Sequence, residues 1–130
     1  MPIEALQNDH SGDERSRLLR ISAVLGLIGV ALGAFGAHGL EKMIEDPKRL
    51  ATWDTAVFYH LTHAVMLYLI AVGGRLRRAA WICMALGVLI FSGSLYVLVL
   101  SGIGWLGAIT PVGGVFFLVG WGLLIARPAR

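Results

Sequence analysis

Three long stretches of the chain have no charged side chain, and short polar segments separate them. Asp, Glu, Lys and Arg are absent from residues 21–40, 55–74 and 79–126. Because a helix rises about 1.5 Å per residue and the bilayer hydrocarbon is about 30 Å thick, one crossing needs about 20 residues. The first two stretches fit one crossing each, and the third fits two, with Gly102-Ile103-Gly104 as the break. The pattern predicts four transmembrane helices at about 19–39, 53–73, 79–101 and 105–126.

The predicted fold class is an all-α, up-and-down bundle that is integral to a membrane. A membrane β-barrel is excluded, because its strands alternate apolar and polar residues whereas these stretches are uninterrupted. Residues 1–17 are polar, carry both signs of charge and show no periodicity, which predicts a mobile cytoplasmic tail. Residues 18–127 are the predicted transmembrane domain, and Asp46-Pro47 is a helix-start signal before its second helix.

Composition and charge agree with a membrane bundle, and the charge predicts which of its sides faces the cytoplasm. The 130-residue chain is 57% hydrophobic and 15% charged, with a formal net charge of +3. The predicted side that bears both termini has eight arginines, namely Arg15, Arg17, Arg20, Arg75, Arg77, Arg78, Arg127 and Arg130. Since Lys and Arg concentrate at cytoplasmic helix ends, we expect both termini in the cytoplasm and the chain in the bacterial cytoplasmic membrane. The positive charge then reflects topology and contact with the lipid bilayer, which excludes nucleic-acid binding as its cause.

Small residues line one face of the first predicted helix. They recur every three or four positions, namely Ser22, Gly26, Gly29, Gly33 and Gly36. In lipid such a face lets helix backbones approach closely. The stripe predicts close packing against a helix of the same chain, against a second copy in a homo-oligomer, or against a larger membrane complex. The four tryptophans are predicted to anchor at the headgroup level, with Trp53 and Trp105 on one side and Trp81 and Trp121 nearer the other.

Polar side chains of the predicted helices gather in the outer half of the membrane, away from the termini. Because polar groups in hydrocarbon are unfavourable unless they meet each other, we expect them to turn toward a shared interior. His60 and His63 share a helical face and could converge with His38 on a metal or a haem. The candidate ligand-binding residues are His38, His60, His63 and Tyr96.

The same residues also have a structural interpretation. Neutral imidazoles could hydrogen-bond across helices to Ser94, Tyr96 or Thr110 and fix the packing. Ion or proton movement is less favoured, because the predicted membrane interior contains no carboxylate and the inner half, almost entirely aliphatic, aromatic or small, has no obvious group to carry an ion onward. The sequence has no G-x-S-x-G, P-loop, H-E-x-x-H or C-x-x-C motif, so catalytic residues, metal and cofactor stay unassigned.

Several short motifs occur in order along residues 20–126. They are Leu32-Gly33-Ala34-Phe35-Gly36-Ala37-His38, Tyr59 with His63, Phe91-Ser92-Gly93-Ser94-Leu95-Tyr96, Thr110-Pro111-Val112-Gly113-Gly114 and Gly120-Trp121. In these motifs the chain resembles the YgdD-like family of small bacterial membrane proteins, which has mitochondrial relatives. The resemblance implies four membrane helices and supplies no reaction, because the function of that family is unknown. It favours His38, His63, Tyr96 and Pro111 as motif positions, whereas His60 matches less well.

Two functional hypotheses follow. The first is a non-enzymatic structural or accessory membrane protein. The second is a binding protein for a redox cofactor, a metal or a quinone-like lipid, which would use His38, His63 and Tyr96, with His60 beside them. The distances among these side chains discriminate between the two.

Overall fold

The chain folds into membrane-spanning helices, as the charge pattern predicts. A computed structural model describes residues 2–128, so Arg130 of the arginine-rich side lies outside the described residues. The helices are α1 (Ile3–His38), α2 (Pro47–Val72), α3 (Arg78–Gly87), α4 (Gly93–Ser101) and α5 (Thr110–Ala126). A π-helical turn, Val88–Ser92, joins α3 to α4 in one continuous helix, and short 3-10 helices occupy Leu40–Lys42 and Gly104–Ala108.

Four helical segments are long and apolar enough to cross a membrane. They are Gln7–Lys42, Pro47–Val72, Arg78–Ser101 and Gly104–Ala126. No strand occurs within residues 2–128. The prediction of an all-α bundle of four membrane helices is therefore confirmed.

Local sequence explains where two of these helices begin and end. The Asp46 carboxylate accepts a hydrogen bond from the Lys48 backbone N–H at 2.9 Å, and Pro47 occupies the first helical position. The helix therefore begins at the Asp46-Pro47 signal that the sequence predicts. At the other boundary Gly102 has a φ of 73°, a left-handed conformation that favours glycine and ends α4.

The polar N-terminal segment is helical from Ile3 onward and continues into the rest of α1. Two contacts attach it to the rest of the bundle. The Arg78 Nε donates to a Glu14 carboxylate oxygen at 2.6 Å. The Arg15 guanidinium donates to the carbonyls of Ala71 at 2.9 Å and Gly74 at 3.0 Å, which lie at the C-terminal end of α2. Helix C-termini leave carbonyls without partners, and a cation there is favourable.

The bundle has two distinct ends. The terminal end comprises the first turns of α1, the connection 73–77 and the end of α5, and the loop end comprises the connections 39–46 and 102–109. At the loop end the Arg49 guanidinium donates to the carbonyl of Val99 near the end of α4. Each end thus has an arginine that binds the last carbonyls of a neighbouring helix.

Helix α2 lies in the middle of the bundle. It packs along α1 on one side and against α3, the π-helical turn and α4 on the other, while α5 packs mainly on α3 and the π-helical turn. Buried apolar residues form two clusters. One, toward the terminal end, contains Leu67, Ile70, Ala71, Ala80, Trp81 and Met84. The other, toward the loop end, contains Leu40, Ile44, Trp53 and Val99.

The small-residue stripe of α1 packs against α2 of the same chain. A Cβ added at Gly29 would lie 2.6 Å from Leu61 Cδ2, and one at Gly36 would lie 2.6 Å from Trp53 Cδ1. Gly33 faces Val57 between them, and only Gly26 has open space. Gly29, Gly33 and Gly36 are therefore packed against α2 of the same chain, which is the first of the alternatives that the stripe predicts.

Two tryptophans lie in the interior and are not headgroup anchors as predicted. Trp53 is 1% exposed, and its Nε1–H donates to the Leu32 carbonyl at 2.9 Å. Trp81 is 6% exposed, and its Nε1–H donates to the Ser22 hydroxyl at 3.1 Å. An indole can be buried where its N–H finds an acceptor, and α1 supplies one in both cases.

Candidate functional site

His60 connects three helices from the middle of α2. Its Nε2 lies 2.8 Å from the Leu25 carbonyl of α1, and its Nδ1 lies 2.9 Å from the Tyr96 hydroxyl of α4. Because a carbonyl only accepts, Nε2 carries the proton, so Nδ1 accepts from the Tyr96 hydroxyl. The imidazole is therefore held as one neutral tautomer with both nitrogens in use.

His63 makes a second, separate set of contacts one turn further along α2. Its Nδ1 donates to the Tyr59 carbonyl at 2.7 Å, and its Nε2 accepts from the Trp121 Nε1–H of α5 at 3.2 Å. The ring stacks on Phe117 with centroids 3.7 Å apart and planes 17° apart. His63 thus joins α2 to α5, and it too is neutral with both nitrogens in use.

Hydroxyl groups pair at the same level of the bundle. The Ser92 hydroxyl, at the end of the π-helical turn, donates to the Ala56 carbonyl of α2 at 2.8 Å. The Ser94 hydroxyl donates to the Phe91 carbonyl at 3.0 Å and so accepts from the Thr110 hydroxyl at 2.7 Å. Each of these hydroxyl groups has a partner, as buried polar groups in a protein generally do.

The structure brings some of the predicted site residues together and separates others. His60 and Tyr96 are in contact, whereas His63 contacts Trp121 and Phe117 instead. His38 is exposed at the end of α1, away from both. Among the residues that the structure describes, no three His, Cys, Asp or Glu side chains come close enough to hold a metal ion. His38, His60 and His63, which could have converged on a metal, therefore lie apart.

The histidine contacts lie near the middle of the bundle. His60 is at the middle of α2, and its Nε2 bonds to the Leu25 carbonyl, in a stretch of α1 predicted to be almost entirely aliphatic, aromatic or small. The polar layer therefore separates the two apolar clusters.

Two partners of the histidines have weak or absent sequence signals. The Leu25 carbonyl is a backbone group, which no side-chain pattern reports. Trp121 has an equally good interpretation as a surface anchor, and only its contact with His63 identifies it as part of the site. The π-helical turn has no composition signature either, although such turns occur frequently at functional sites.

A shallow groove lies beside His63 between α2 and α5. Its volume is about 400 Å³, and four aromatic residues line it beside His63: Tyr59, Phe91, Phe117 and Trp121. Leu118 at its rim is exposed, so the groove opens onto the surface that membrane lipid covers. Its chemistry suits an apolar, ring-bearing molecule.

A four-helix membrane protein with a central layer of interhelical hydrogen bonds is the class that this fold and site define. Within that class the chain belongs to the family described as Protein of unknown function (DUF423), whose profile matches residues 32–114. It is 45% identical over 117 residues to the UPF0382 membrane protein YwdK of Bacillus subtilis (strain 168), which covers 85% of this chain and 94% of the relative.

More distant relatives extend beyond bacteria. The chain is 37% identical over 114 residues to a UPF0382 membrane protein of Haemophilus influenzae, covering 82% of this chain and 89% of the relative. It is 34% identical over 112 residues to the UPF0382 membrane protein C1782.12c of Schizosaccharomyces pombe, covering 81% of this chain and 95% of the relative. No solved structure matches the chain.

Proposed function

We propose that the protein is a non-enzymatic structural or accessory component of the bacterial cytoplasmic membrane. The proposal rests on the hydrogen bonds of His60 and His63. Both nitrogens of both rings are taken by groups of the same chain, and the contacts join α1, α2, α4 and α5. Ionisable residues inside a membrane are functional by default, but here the rings perform the packing function that polar residues have between membrane helices.

The arrangement of charge supports both termini facing the cytoplasm. Described arginines at the terminal end are Arg15, Arg17, Arg20, Arg75, Arg77, Arg78 and Arg127. The loop end has Lys42, Lys48 and Arg49, with Glu41, Glu45 and Asp46 beside them. This asymmetry follows the positive-inside rule. We also propose that the YgdD-like family, with its mitochondrial members, is the same family as the one matched here, and the fungal relative supports a range beyond bacteria.

The His63→Leu variant tests the structural function. His38→Leu is the matched control, because it makes the same change at an exposed ring. Under the structural proposal, His63→Leu lowers the Tm of the purified protein in mild detergent and His38→Leu leaves it unchanged, since only His63 has partners to lose. Absorbance spectra, metal content and extractable quinone stay the same in all three proteins. A His63→Leu protein with unchanged Tm would contradict the proposal.

The groove beside His63 favours a second candidate, a binding protein for a quinone-like lipid. A quinone ring would lie against the exposed faces of the groove's aromatic rings, and a ring carbonyl would accept the hydrogen bond of the Trp121 Nε1–H in place of His63. Of the four residues expected to bind a ligand, His63 alone lines the groove; His60 and Tyr96 lie behind it in the packing, and His38 does not approach it.

Lipid extraction separates the two candidates. The second candidate predicts that wild-type protein purified in mild detergent retains stoichiometric quinone, detected by ultraviolet absorbance of the extract. It also predicts that Trp121→Phe, which removes the indole N–H donor, loses the quinone while keeping its helical circular dichroism. Quinone-free wild-type protein would exclude this candidate and leave the structural one.

A further inference from the structure

A second cleft lies at the terminal end of the bundle, away from His60 and His63. Its charge differs from that of the groove beside His63. Its volume is about 760 Å³, and it separates the 74–80 segment from the end of α5. Four arginines line it: Arg75, Arg77, Arg78 and Arg127. We propose that this cleft binds the phosphate group of an anionic phospholipid. The proposal is independent of what the histidines do.

Three of the four arginines of the cleft carry positive charge that no ion pair with the described residues compensates. Glu14 neutralises Arg78 through a two-point contact of carboxylate with guanidinium. Arg75, Arg77 and Arg127 have no carboxylate partner in the part of the chain that the structure covers. The Arg77 Nε is in addition buried without a hydrogen-bond partner among the described residues. A buried N–H without an acceptor is unfavourable, and a phosphate oxygen is the kind of acceptor that a guanidinium binds best.

The cleft is also held in a fixed shape. The Arg15 guanidinium binds the carbonyls of Ala71, Gly73 and Gly74, which immediately precede the segment that carries Arg75 and Arg77. The Glu14 contact positions Arg78 at the start of α3. Both contacts come from α1, so the backbone under the arginines is tied to a membrane helix before any ligand binds.

The remaining walls of the cleft point to a lipid as the source of the phosphate. Leu76, Ala80, Leu123 and Ala126 are apolar and continue onto α3 and α5, which are membrane helices. A ligand that fits has a charged head at the arginines and hydrocarbon along the helices. Basic pockets between transmembrane helices bind anionic headgroups in this way.

Native mass spectrometry of the detergent-solubilised protein tests the proposal with phosphatidylglycerol as the probe. The Arg77→Gln and Arg127→Gln variants remove charge from the cleft, and Arg20→Gln removes the same charge from an exposed site on α1 at the same end. We expect wild type and Arg20→Gln to retain phosphatidylglycerol over phosphatidylcholine. Each cleft variant should retain about fivefold less, since one arginine near an anionic surface changes binding by about that factor.

Two controls establish that each variant is folded and that the bound phosphate group belongs to a lipid. Circular dichroism establishes that each variant is helical, and Arg127→Gln, at an exposed residue, serves if Arg77→Gln does not fold. Millimolar inorganic phosphate should not displace the lipid. Equal retention by the cleft variants and Arg20→Gln would overturn the proposal, as would displacement by inorganic phosphate, because the ligand would then be a soluble phosphate compound.

Discussion

His60 accepts a hydrogen bond from Tyr96 on one side of its ring and donates one to the Leu25 carbonyl on the other. A single side chain of α2 thereby fixes both the backbone of α1 and a side chain of α4. Hydrogen bonds between membrane helices contribute about 0.6 kcal/mol on average and up to about 1.7 kcal/mol. The contribution of His60 to stability therefore comes from linking its two partners, the Leu25 carbonyl of α1 and the Tyr96 hydroxyl of α4.

A double-mutant cycle at His60 and Tyr96 measures that coupling. Tyr96→Phe should lower the free energy of unfolding in mixed micelles by about 1 kcal/mol, because His60 Nδ1 loses its donor. His60→Leu should lower it by about 1–3 kcal/mol, and the double variant by less than the sum. Tyr68→Phe is the control, since the Tyr68 ring is exposed and should show no loss. Strictly additive losses would show that the two side chains do not interact.

At the scale of helices, close packing of two helices depends on glycines that face the neighbouring helix. Gly113 of α5 lies directly against the backbone of Phe91 in the π-helical turn, and Gly120 lies against Met84 of α3. A side-chain neighbour can rotate away from an added methyl group, but a backbone neighbour cannot. The approach of α5 to the third membrane helix therefore depends most on Gly113.

Gly113→Ala should destabilise the protein, whereas Gly122→Ala on the same helix should not. A Cβ at Gly113 would overlap the Phe91 backbone, and overpacking of this kind costs about 1–3 kcal/mol. A Cβ at Gly122 meets nothing within 4 Å, and alanine is the better helix former. Unfolding in mixed micelles compares the two, and equal stability would show that α5 does not need this close approach.

The end of α2 offers a second test at this scale. Arg15→Gln should lower the free energy of unfolding by about 1–2 kcal/mol, because the carbonyls of Ala71 and Gly74 lose a charged donor. Arg17→Gln is the matched control, since the one ion pair that Arg17 forms with the described residues is an exposed contact with Asp13 at 3.7 Å. Thermal unfolding followed by circular dichroism provides the measurement. An equal loss from both variants would indicate a general effect of charge.

For the whole molecule, the sequence predicted the membrane spans and their number but not the rotation of each helix. Charge-free stretches give length, and Asp46-Pro47 and Gly102 mark boundaries, because these signals are local. Contacts such as Trp53 with the Leu32 carbonyl depend on which way a helix turns and on backbone acceptors. An indole at a predicted boundary can anchor at a headgroup or fill the core, and composition does not distinguish them.

The orientation of the whole molecule in the membrane can be measured by placing a cysteine at either of two glycines that have room for a side chain. A Cβ at Gly12 or at Gly104 meets nothing within 4 Å. In a Cys83→Ala background, a membrane-impermeant maleimide applied to intact cells should label Gly104→Cys and not Gly12→Cys, because we place the loop end outside. Labelling of Gly12→Cys alone would reverse the proposed topology.

The π-helical turn at Val88–Ser92 determines the direction in which every later side chain of the third membrane helix points. Each residue of an α-helix advances the chain by about 100° around the axis. If Val88–Ser92 wound as regular α-helix with all of its residues kept, the extra residue that the wider turn accommodates would rotate α4 by about that angle. Tyr96 would then point away from His60, so the wider winding of this short turn is as strictly constrained as the identity of the residues it aligns.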